Sequence, residues 1–129
     1  MKPIILALAF TQWVTLGGEV PGVNPEKRVH ATVYHAVEEQ CNSDPGHTAF
    51  NFELDLDNPF KHRIIAVSRD LLDEYPKGTQ VYVGGVGEYS GVYMVMDKMN
   101  KRYTDRIDIL INVGMPLISR DRATIRKIN

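Results

Sequence analysis

The stretch VMDKMNKRYTDRIDIL, Val95 to Leu110, places two carboxylates inside sequence that otherwise reads as β-structure. In its second half, Ile107, Ile109 and Ile111 fall on one face of an extended chain, and Asp108, Leu110 and Asn112 on the other, because side chains alternate with period two. Both faces are largely apolar, so the strand is expected to be covered on both sides, with Asp108 partly buried among aliphatic neighbours. The first half ends a second strand, GVYMVMD, whose last residue is Asp97. The polar segment KMNKRYT connects the two.

Working outward, RVHATVYHAV and TQVYVGG alternate β-branched and aromatic residues with others and predict strands, as does the start of RIIAVSRDLL. Ser68 to Tyr75 predicts one or two helical turns, stopped by Pro76 and Gly78. GGVGEYSG reads as a hairpin connection, since it lacks the following helix that a nucleotide-binding glycine loop requires. The segment from Glu38 to Arg63 carries Asn, Ser, Asp, Pro and Gly at turn spacing and predicts a long loop, with a short extended piece at Phe50 to Leu54. PLISRDRATIRKIN predicts a turn or helix and a final strand. Short strands without a helical repeat predict a mainly β protein, a small barrel with short helices and long loops.

The chain has 129 residues, which suits one domain. Its net charge of −1 gives no footprint for nucleic acid, and its single cysteine, Cys41, excludes an intrachain disulfide. MKPIILALAFTQWVTLGG has one basic residue, an apolar run and then small residues, which predicts an export signal over residues 1–17. The competing reading is a first strand or helix packed on the body. Residues 18–28, rich in Gly and Pro, predict a linker into a domain spanning residues 29–129. No segment approaches the roughly 18 apolar residues of a membrane span, so an exported chain is expected to be secreted or periplasmic without stable membrane insertion.

Asp108 is the leading candidate for chemistry. Desolvation raises a carboxyl pKa toward the range a general acid needs near neutrality, and a second carboxylate at Asp97 would raise it further. The alternative is structural: an aspartate in a strand can cap a turn, accept backbone N–H groups, or pair with Arg102 or Arg106. His30 and His35 are five apart on one strand and face opposite sides, and His47 and His62 lack a ligand pattern, so no metal or cofactor is expected. Ser68 has no nucleophile-elbow context.

Taken together, ATVYH, SDPGHTA, IAVSRDLL, KGTQVYV and VMDKMNKRYTDRIDIL resemble the three-aspartate (3D) domain family, over Val29 to the C-terminus. That family includes membrane-bound lytic transglycosylase A and small muralytic proteins. The resemblance implies a six-stranded double-psi β-barrel and a lyase that cleaves the MurNAc-β-1,4-GlcNAc bond of peptidoglycan, leaving 1,6-anhydroMurNAc ends. By position it implies Asp108 as acid/base, Asp97 as its partner and Asp70 as the first of three aspartates, all converging in one groove. The chain departs from the family pattern at Ser68, where the first aspartate often stands, and at KMN, where a Gly-containing stretch is usual. Sugar rings stack on aromatics and bond to polar loops, so Tyr34, Thr48 and Tyr103 are substrate-binding candidates. The expected partner is the peptidoglycan glycan strand, bound by a monomer. The alternatives are a non-catalytic polysaccharide-binding barrel and, if the first sixteen residues belong to the fold, a cytoplasmic protein.

Overall fold

The computed structural model describes residues 24–36 and 46–128. The expected export signal, most of the expected linker, and Cys41 lie outside them. Six strands form: β1 (Lys27–His35), β2 (Ile64–Val67), β3 (Gln80–Gly84), β4 (Gly91–Lys98), β5 (Arg106–Ile111) and β6 (Ser119–Lys127). They close into a barrel in the order β1-β5-β2-β4-β3-β6. The β1–β5 and β2–β4 pairs are parallel and the other four are antiparallel. Lys27, expected in the linker, opens β1 instead, paired with Ile125 of β6, and Arg28, the first residue of the expected strand, pairs with Thr124. Among the described residues the helical content is three short 3-10 turns, at Pro59–His62, Arg69–Leu71 and Gly87–Tyr89. The middle one falls where one or two helical turns were expected.

Alternation fills the barrel. Val29 and Ala31 of β1, Ile65 and Val67 of β2, Val81 and Val83 of β3, Tyr93 and Val95 of β4, the three isoleucines of β5, and Ala123 and Ile125 of β6 form one buried cluster. A barrel of six strands is narrow enough for such side chains to occupy its whole interior. Leu71, Tyr75, Val86 and Tyr89, from the connections, belong to the same cluster and close it.

A second buried cluster lies on the outer face: Ile64, Met96 and Leu110 with Leu54, packed against Tyr34, Phe52 and Met94. Here the loop through residues 52–54 covers β2, β4 and β5. This covers Ile64 of β2, while Ile65 and Val67 fill the interior, and it explains why β5 is apolar on both faces. The loop is tied by an isolated bridge between His47 and Glu53; within the short extended piece expected at Phe50 to Leu54, Glu53 makes this bridge and no strand forms.

His30 joins β1 to β6: its Nδ1 lies 2.6 Å from Asp121 Oδ1 and its Nε2 3.0 Å from Ser119 Oγ. The connectivity is that of a nucleophile, base and carboxylate, but the Asp121 side chain is 89% exposed and none of the three lines the cleft described below. A contact this exposed contributes little energy, and the cluster serves as a clasp between strands.

Candidate functional site

Ala66 organises the site. It pairs with Asp97 of β4 on one side and Asp108 of β5 on the other, so the two carboxylates flank one small residue across the middle strand of three. Two strand spacings put their Cα atoms about 10 Å apart, close enough for the side chains to share a cleft above the Ala66 methyl.

Asp97 reaches that face through a bulge. From Ile65↔Val95 the register moves to Ala66↔Asp97, one residue on β2 against two on β4. Val95 points into the barrel and Met96 out, so strict alternation would turn Asp97 inward. The extra residue re-aims it outward, as bulges do.

The cleft has a volume of about 700 Å³ and is open to solvent. Asp97 and Asp108 both line it, as do Ala66, Tyr34, Thr48 and Tyr103. Both carboxylates are half-buried. Asp97 is fully engaged: Oδ1 accepts the backbone N–H groups of Ala49 (2.7 Å) and Lys98 (2.9 Å), and Oδ2 accepts the Tyr34 hydroxyl (2.8 Å). Asp108 accepts one bond, from Thr32 Oγ1 to Oδ1 at 2.9 Å. Its Oδ2 has no hydrogen-bond partner among the described residues. Burial pushes the Asp108 carboxyl up to about 6; the Thr32 bond and the Arg106 charge pull it down, and the charge on Asp97 adds to the rise. The arrangement sets one carboxyl with both oxygens hydrogen-bonded beside another whose pKa burial has raised to about 6.

Asp70 does not join them. It is exposed on the turn after β2 and is absent from the cleft lining. Its Oδ2 accepts the backbone N–H of Asp105 at 3.0 Å. Desolvation, the largest single influence on its pKa, acts upward, but hydrogen bonds from Ser68 and the Asp105 backbone outweigh it and lower the value. Ser68 Oγ accepts the N–H of Arg106 at 3.0 Å. Asp105 holds a left-handed conformation, φ 50°, as the chain turns into β5. Asp70 and Ser68 thus fix the turn that aims Asp108, two residues inside the strand.

Of the other expected residues, Tyr34 and Thr48 serve the carboxylates as much as any ligand. Thr48 Oγ1 accepts Phe52 N–H at 3.1 Å and holds the turn that presents Ala49 N–H to Asp97. The Tyr103 ring is already occupied, with the Arg102 and Arg106 guanidinium carbons 4.8 and 4.7 Å from its centroid. It is a braced wall rather than a bare stacking surface.

Sequence reasoning missed Thr32, Ala66, Arg69, Lys98 and Arg102. Thr32 was within reach, since in VHATVY it alternates with the inward Val29, Ala31 and Val33 and so shares the face of Tyr34. Ala66 had no signal of its own, because its role comes from register.

No family model and no curated protein matches the chain. Among solved structures, a Streptomyces papain inhibitor is similar, with 16% sequence identity and a TM-score of 0.52, over 86% of this chain and 100% of the inhibitor. At that identity the similarity shows the small-barrel fold alone. Among the described residues no group of three or more His, Cys, Asp or Glu could hold a metal ion.

Proposed function

We propose that this protein is a peptidoglycan lytic transglycosylase of the 3D-domain type, exported to the cell wall, in which Asp108 alone is acid and base. The two parallel pairs, β1–β5 and β2–β4, meeting at the antiparallel β5–β2 contact, support assigning the barrel to the double-psi topology.

The observation that carries the reading is the inequality of the two carboxylates. A glycosidase that uses water or a covalent intermediate needs a second carboxylate free to attack or to activate water. Asp97 has both oxygens committed to three donors, so it stabilises charge but is poorly placed to act. Asp108 has, among the described residues, one oxygen without a hydrogen-bond partner, and its carboxyl is raised to about 6. One such group suffices when the nucleophile is the C6 hydroxyl of the muramic acid itself. Protonated Asp108 donates to the glycosidic oxygen as the C1–O bond breaks. O6 then closes on C1, and its proton passes to the Asp108 carboxylate. The acid is regenerated without consuming water.

The test is clearing of a purified cell-wall suspension by the full chain and by Asp108→Asn. Clearing by the wild type and its loss in the variant support the reading. Equal clearing by both contradicts it. Binding to walls without clearing favours the polysaccharide-binding barrel.

A further inference from the structure

Three cations are among the residues that line the cleft: Arg69, Lys98 and Arg102. Arg69 is seated against the β4–β5 connection by a bond from its Nε to the Met99 carbonyl (3.1 Å), and Arg102 is braced on Tyr103 through Nη2 to the hydroxyl (2.8 Å). Among the described residues none of the three forms an ion pair. The two carboxylates in the cleft do not neutralise them: Asp97 takes Lys98 only through its backbone N–H, and Asp108 faces Thr32. Three side-chain cations without carboxylate partners beside a sugar-sized cleft are a recognition element for negative charge on the ligand.

We propose that this set of cations selects glycans bearing carboxylates, with Arg69, Lys98 and Arg102 binding a carboxylate on a substituent of the sugar while the ring lies over Ala66. The proposal rests on the reading of the cleft as a glycan site and names the feature that sets its specificity. Two sources offer the same chemistry in a wall polymer, the lactyl carboxylate of muramic acid freed of its peptide and the carboxylates of the stem peptide.

The experiment is titration calorimetry on the full chain carrying Asp108→Asn, so that no ligand is consumed. The ligands are a neutral N-acetylglucosamine hexamer, peptide-free wall glycan strands, the same strands with lactyl carboxylates converted to amides, and strands with stem peptides. Exposed ion pairs are individually weak, so three together predict about tenfold tighter binding of carboxylated strands than of the neutral hexamer. The advantage should shrink with added salt. Preference for the peptide-free strands, lost on amidation, identifies the lactyl group, and preference confined to stem-bearing strands identifies the peptide. Adding Lys98→Gln and Arg102→Gln should bring the ratio close to one. Equal affinity for neutral and carboxylated ligands overturns the inference and leaves the glycan site standing. No binding to any of the four overturns both.

Discussion

At the scale of single residues, Asp108 carries the account. Asp108→Asn keeps the shape and still accepts the Thr32 hydroxyl, but it has no proton to donate. Glycan cleavage should fall by about 100-fold to 10,000-fold, the usual loss for a positioned general acid. The same substitution tests the burial. The folded-state pKa is raised from 3.8 to about 6, so the protonated carboxyl favours the folded state and the advantage is lost as pH rises from about 4 through about 6. Above that range the buried charge costs at most about 3 kcal/mol. Asp108→Asn should therefore raise the thermal midpoint at pH 7.5 relative to wild type and leave it little changed at pH 4; a lower midpoint at pH 7.5 would argue against a desolvated carboxylate. Cleavage should decline above about pH 6, where the acid is lost. Asp97→Asn should impair cleavage less than Asp108→Asn, since an amide retains an acceptor for the backbone N–H groups but loses the fixed charge. Both aspartates were legible in the sequence because a carboxylate on a strand with two apolar faces is conspicuous. Their division of labour was not legible, because it depends on Ala49 N–H and Tyr34, which reach Asp97 from distant parts of the chain.

At the scale of elements, the bulge at Met96 and the turn into β5 decide whether the pair forms. The strands around them were legible from alternation, and β1, β3, β4 and β5 fall where the pattern predicts, within a few residues at their ends. The bulge was not, because VYMVMD alternates as well without it, and only pairing with β2 reveals the extra residue. The same limit explains Asp70. The family resemblance placed it in the groove, whereas a short 3-10 turn after β2 points it at the Asp105 backbone. Asp70→Ala removes the acceptor for that N–H and should cost about 1 kcal/mol of stability. Its effect on cleavage should come through looser placement of β5. The pH at which activity declines should therefore stay where it is in the wild type, and a displaced decline would instead mean that Asp70 acts on the reacting proton.

At the scale of the whole molecule, a closed barrel with one filled interior holds the site rigid from three strands at once. Ile109 belongs to that interior cluster, four residues past Asp105, whose N–H Asp70 holds, and next to Asp108 in sequence. Ile109→Ala should lower stability by about 2–5 kcal/mol. Barrel closure was legible only as a class, because strand order and the two parallel pairings are properties of long-range contact that alternation does not encode. The outer cluster that seals β2 and β5 likewise needs the loop carrying Phe52 and Leu54 to fold back over them. The central claim is that one carboxyl, with no attacking water, performs the reaction. Its most direct test is mass analysis of the fragments released from peptidoglycan by the full chain in ¹⁸O-enriched water. The account predicts muropeptides one water lighter than hydrolysis products, free of ¹⁸O and ending in 1,6-anhydro sugars; reducing ends carrying ¹⁸O would contradict it.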